Sequence, residues 1–330
     1  FLSFAIVMTL GGGPSTSTME VAIYQSALFE LNFNKAIILS IIQIIICTIF
    51  LLFSFYKLKG SNFFEIQTNN FNHPFSKIIR IKLFDYFIII FFSIILFSPI
   101  IYILLNFIQT VNFENYFMKK YFLEALKNSF ILSFTTGIVV TCIGFIISFL
   151  LVNFRKHIWL QQLLFMVSSI ILIISPVIIS LGYFIILGEL RYIPFVSYVV
   201  IITINCIFLL PFSILILFIK LKNIYLNYDE VKKSFNINEI NFIKIIYPLI
   251  RKNLIYIFSF SAAISFGDFT IISFFKNDSF QTLPTLLYRL LTSYRFEEAS
   301  FIAGFILMFS LFVYLFFDNS FYKDNPDINI

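Results

Sequence analysis

Residues 36–56 read AIILSIIQIIICTIFLLFSFY, a run with no charged residue and no polar face at helical spacing. At about 1.5 Å of rise per residue it is long enough for a hydrocarbon core of about 30 Å. Further runs of this kind occupy residues 83–107, 128–154, 158–187, 197–219, 253–275 and 298–317, and residues 1–10 read as the end of another. The 330 residues are 60% hydrophobic and 12% charged, whereas a water-soluble domain carries about a quarter charged residues. A transmembrane β-barrel is excluded, because its strands alternate apolar and polar residues over about 10 positions. The expected fold is an all-α polytopic transmembrane helical bundle.

The net charge of +6 requires no nucleic-acid partner. Lys57, Lys59, Lys77, Arg80, Lys82, Arg155, Lys156, Lys220, Lys222, Lys232, Lys233, Lys244, Arg251, Lys252 and Lys323 lie on one side of the proposed spans. Fewer basic residues lie on the other side, so the first side is read as cytoplasmic, facing anionic membrane lipid. Cys47, Cys142 and Cys206 lie within apolar runs without metal or redox spacing, and His73 and His157 have no acidic or thiol neighbours at ligand spacing. No nucleophile set, metal set or cofactor motif is present. The run Gly11-Gly12-Gly13-Pro14 lacks the Lys-Ser/Thr of a phosphate loop and reads as a turn.

The polar, basic segment 57–82 separates a two-span remnant, residues 1–56, from a six-span unit, residues 83–317, with a tail at 318–330. A weak repeat links the two parts. Thr18 and Tyr24 are spaced as Thr282 and Tyr288, Phe33 and Ala36 as Phe296 and Ala299, and Ser3-Phe4 echoes Ser265-Phe266. The chain opens inside an apolar run and not at Met, and is expected to be a fragment of a protein with two six-span halves.

The longest cytoplasmic segment, 221–252, is expected to form two short helices. Asn227 and Glu230 form a candidate capping box, Asn236-Ile237-Asn238 the turn, and Asn238 the cap of a helix from Glu239 that Pro248 interrupts. Pro99, Pro176 and Pro211 are expected to interrupt spans.

The stretch Asp229-Glu230-Val231-Lys232-Lys233-Ser234-Phe235-Asn236-Ile237, followed by Ile245-Ile246-Tyr247-Pro248-Leu249, resembles the EAA motif of binding-protein-dependent ABC importer permeases. These are the MetI-like, type I inner-membrane components. In that family the motif forms a coupling helix that docks on a cytoplasmic ATPase. Glu230 and Pro248 match the pattern, Asn236 replaces its glycine, and Lys232 puts a long cation where a small residue packs.

Two further stretches resemble thiamine-importer permeases: Leu10-Gly11-Gly12-Gly13-Pro14 through Thr18-Met19-Glu20-Val21-Ala22-Ile23-Tyr24-Gln25, and Gly267-Asp268-Phe269 through Thr282-Leu283-Pro284. The resemblance implies a fused two-half permease of the bacterial inner membrane for thiamine or its phosphates. Partner ATPase subunits would hydrolyse the ATP and a periplasmic binding protein would deliver the substrate. Residues 1–56 would then end the first half. A ferric-iron permease is the alternative within the class, and a secondary transporter or membrane enzyme the alternatives outside it. Gly267, Asp268 and Phe269 are candidates for the substrate path, against the simpler reading of Asp268 as a local backbone cap.

Overall fold

The computed structural model describes residues 4–11, 16–57, 79–109, 119–153, 171, 174–235, 238–276 and 280–322. Among them every regular element is helical: α1 (Phe4–Leu10), α2 (Met19–Leu28), α3 (Phe33–Lys57), α4 (Ile79–Gln109), α5 (Lys120–Asn153), α6 (Pro176–Leu187), a 3-10 turn (Gly188–Tyr192), α7 (Pro194–Ser234), α8 (Glu239–Phe266), α9 (Ile272–Phe275), α10 (Leu283–Thr292) and α11 (Phe296–Tyr322). Six of these, α3, α4, α5, α7, α8 and α11, are long and apolar enough to cross a membrane. Large apolar side chains cover their outer surfaces, as at Phe84, Phe87, Phe92 and Leu96 of α4. Such a surface is stable only in a lipid solvent. The protein is a polytopic helical membrane protein.

Helix α5 packs on α7 and α8, α8 packs on α11, and α4 covers α11, while α2 and α3 form a hairpin set against α6. Small residues let the backbones approach. A Cβ on Gly144 would lie 1.8 Å from Ser213 Oγ, and one on Gly304 would lie 2.5 Å from Phe107 Cβ. Polar side chains tie the same contacts: Ser133 Oγ donates to Ala262 O at 2.9 Å, and Leu283 N donates to Ser129 Oγ at 2.9 Å. Both devices suit helices in lipid, where apolar burial supplies little drive for association.

Several expected boundaries are corrected. The span placed at 197–219 continues without a break to Ser234, so Asn227 lies in a helix interior and caps nothing. Helix α8 runs through Pro248, which removes one backbone donor without ending the helix. The span placed at 253–275 ends at Phe266, where Gly267 N bonds back to Ala263 O at 3.4 Å. Pro99 and Pro211 lie within continuous helices, and Pro176 starts a helix capped by Ser175, whose Oγ accepts from Val177 N at 3.3 Å. Most of the run 158–175, the linker from residue 58 to 78 and the tail from residue 323 lie outside the described residues.

Gly144→Leu, which forces a side chain into Ser213, is expected to destabilise the bundle by about 1–3 kcal/mol. Gly182→Ala, at a glycine with nothing within 4 Å, is expected to leave it unchanged. Thermal unfolding of the two detergent-solubilised variants, followed by size-exclusion chromatography, measures the difference.

Candidate functional site

At one end of the bundle α7 and α8 meet in a hairpin. Leu221, Ile224 and Tyr225 of α7 pack with Phe242, Ile246 and Ile250 of α8, and with Leu151 and Val152 at the end of α5. The Tyr225 and Phe242 rings stand edge to face, 5.1 Å between centroids. Asp229, Glu230, Val231, Lys232, Lys233 and Ser234 form the last turns of α7, and Phe235 follows in the turn. Phe235 is 75% exposed, a large ring presented at the tip of the hairpin. Asn236 and Ile237 lie outside the described residues. Asn238 occupies the cap position of α8 in extended geometry, but its side chain makes no capping bond.

Lys232 does not project from the tip. Its Nζ lies 4.9 Å from the Phe242 ring centroid and 5.6 Å from that of Tyr225. The cation is held on the aromatic pair that joins the two helices, so it fastens the hairpin and leaves the tip clear. The sequence held a signal for this, since Tyr225 and Lys232 are two helical turns apart and share a face.

At the other end two structural repeats meet. Helices α2 and α10 are each ten residues long and each is preceded by a threonine, Thr18 or Thr282. Ala22 N bonds to Thr18 O at 2.9 Å, as Leu286 N bonds to Thr282 O at 2.9 Å. Each short helix turns into the next through one residue at positive φ, Leu31 at 52° and Tyr294 at 59°. The two threonine caps differ, since Thr282 forms a capping box with Thr285 and the Thr18 side chain makes no capping bond. Tyr24 and Tyr288, at matching positions, flank a pair of phenylalanines. Phe4 lies 5.1 Å from Tyr24, Phe4 stacks on Phe269 at 6.0 Å, and Phe269 lies 4.9 Å from Tyr288.

Asp268 and Phe269 are thus placed at this aromatic seam, with Gly267 exposed beside them. Asp268 Oδ1 accepts from Ile271 N at 3.3 Å, the local capping bond, and the Thr270 N–H and the Asn205 side chain also hydrogen-bond the carboxyl. Two polar residues at this end were not singled out from the sequence. Glu20, 1% exposed, accepts a hydrogen bond from Ser175, and Asn205, 3% exposed, faces the Asp268 carboxyl. Among the described residues no group of three or more His, Cys, Asp and Glu is placed to hold a metal ion.

The described residues thus form a helical membrane bundle with a folded hairpin at one end and an aromatic seam at the other. Comparison with known proteins gives it named relatives. The whole chain aligns at 30% identity with the thiamine transport system permease protein ThiP of Haemophilus influenzae, covering 61% of that protein. It is 23% identical over 93% of its length to ThiP of Escherichia coli, covering 58% of that chain, and 26% identical over 91% to ThiP of Brucella abortus, covering 55%. The chain therefore spans about three fifths of the length of the curated relatives it matches. No family model matches it. The ferric-iron alternative gains no support, since the curated relatives are named for thiamine.

Lys232→Ala is expected to loosen the hairpin by about 0.5–1 kcal/mol. Hydrogen–deuterium exchange should show faster amide exchange around Tyr225 and Phe242 in this variant, and Lys232→Arg should retain protection.

Proposed function

We propose that this chain is part of the permease of an ATP-driven importer that moves thiamine, or its phosphates, across the bacterial inner membrane. The observation that carries this reading is the alignment of the whole chain with relatives named as thiamine transport permeases. In this reading the chain itself hydrolyses nothing. Cytoplasmic ABC ATPase subunits supply the energy, and a periplasmic binding protein delivers the substrate.

The hairpin of α7 and α8 is the ATPase-docking element. Asp229, Glu230, Val231, Lys232, Lys233, Ser234, Phe235, Asn236 and Ile237 form its coupling segment, with Pro248 in the returning helix. Two features support the role. Phe235 stands exposed at the tip, and Lys232 lies on the Tyr225–Phe242 ring pair that joins the two helices. Because α7 and α8 are continuous from the hairpin into the bundle, a shift at the tip is carried along both helices toward the seam. Gly267, Asp268 and Phe269, at the seam end of α8, then lie on the substrate path. Closure of the ATPase dimer on ATP would rock the halves and open the path outward.

Reconstitution of the full-length permease with its ATPase and binding protein tests this. Glu230→Arg is expected to lower binding-protein-stimulated ATP hydrolysis at least about tenfold while membrane insertion stays normal. Stimulated hydrolysis at the unaltered rate in this variant would contradict the docking role.

A further inference from the structure

Helices α1, α2 and α3 meet the helices that follow the linker along one junction, and a charged side chain is buried inside it. Glu20, in the first turn of α2, is 1% exposed. Ser175 Oγ donates its proton to Glu20 Oε1 and accepts from Val177 N at 3.3 Å, so the carboxylate sits against the start of α6. The Gln43 side chain of α3 and the Phe4 N–H of α1 also meet the carboxyl. A carboxylate away from water is tolerated only among such donors, and the positive end of the α6 dipole adds to them.

These partners divide unevenly. Gln43 and Phe4 belong with Glu20 to α1–α3, whereas Ser175 belongs to the part beyond the linker. The aromatic contacts across the junction are Phe4 with Phe269 at 6.0 Å, Tyr24 with Phe274 at 5.2 Å and Phe33 with Phe184 at 6.4 Å. Ring contacts hold over a range of offsets and a hydrogen bond does not, so the Glu20–Ser175 bond sets the register of the junction. The carboxylate is not needed to build a helix of this kind. At the position matching Glu20 in the weak sequence repeat stands Pro284, and α10 forms there without an acid.

We propose that the Glu20–Ser175 hydrogen bond is the latch that holds the two sides of this junction together, and that it is released each time the transport path opens outward. The inference rests on the importer reading, in which the halves rock, and goes further in naming the bond that the rocking must break. Parting the two sides leaves Glu20 with Gln43 and Phe4 and lets water take the place of Ser175. Removing the carboxylate therefore costs the closed arrangement more than the open one, because only the closed one leaves the Ser175 hydroxyl buried without its acceptor. The population shifts toward the open arrangement.

The test uses the full-length permease with its ATPase in lipid nanodiscs, with the native cysteines replaced by alanine and Ser273→Cys as a reporter. Ser273, 1% exposed, lies in α9 beside Tyr24. Without ATP, a water-soluble maleimide is expected to label this thiol about tenfold faster in Glu20→Met, and about threefold faster in Glu20→Gln, which keeps an acceptor without the charge. ATP hydrolysis in the absence of the binding protein should rise in the same order, a gain that mere loss of structure does not give. Ser175→Ala should speed labelling no further in the Glu20→Met background, because both variants lose the same bond. If Glu20→Met does not yield an intact complex, Glu20→Gln decides by the same two readings.

Unaltered labelling in these variants, or faster labelling with hydrolysis no higher, would overturn the latch while leaving thiamine transport standing. Additive effects of Glu20→Met and Ser175→Ala would overturn it as well. An unaltered complex that, with its binding protein and ATP, moves no thiamine would overturn the functional reading and this inference with it.

Discussion

Hydrocarbon offers no hydrogen-bonding partner, so each polar group inside it must find one within the protein. Helix α5 is where this constraint is met most densely. Its stripe of Ser129, Ser133, Thr136, Gly137, Gly144 and Ser148 faces the neighbouring helices, and the hydroxyls reach backbone or side-chain partners on α7, α8 and the start of α10. The glycines between them bring the helix axes close enough for those short side chains to span the gap. Large apolar residues are displaced to the outer surface, where they meet lipid. The position of α8, and with it of Asp268 at its end, follows from this one face.

The spans were legible because a run of apolar residues has few other fates. Their ends were not. Around Lys220 the hydropathy falls, which marks the membrane boundary, but the helix continues to Ser234 because a polar residue in a helix interior costs little once it faces water. Asn227 is the clearest case: a capping residue by type, it sits mid-helix since no turn chemistry precedes it. Pro248 is the converse, a breaker that the helix passes through. The repeat residues Thr18 and Thr282 each precede a ten-residue helix followed closely by a residue at positive φ, Leu31 or Tyr294.

The site divides in the same way. Asp268 and the hairpin residues stood out as charged or turn-forming residues beside apolar runs. Asn205 did not, because one amide in a long apolar helix gives no sign of its partners, and Ser265, to which its Nδ2 donates at 3.3 Å, comes from a distant part of the chain. Lys232 looked like an obstacle when only its own helix was considered. The Phe242 ring that receives it comes from the other helix of the hairpin.

The two ends are joined by α7 and α8, which run from the hairpin to the seam. In the proposed reading, a displacement at the exposed Phe235 reaches the aromatic rings at the far end through these two continuous helices. Site-directed cross-linking from Phe235→Cys in the assembled transporter measures the proposed ATPase contact most directly. An adduct with the ATPase subunit, with the thiol shielded from maleimide when the ATPase is bound, is the expected result. A thiol equally reactive with and without the ATPase, and no adduct, would contradict it.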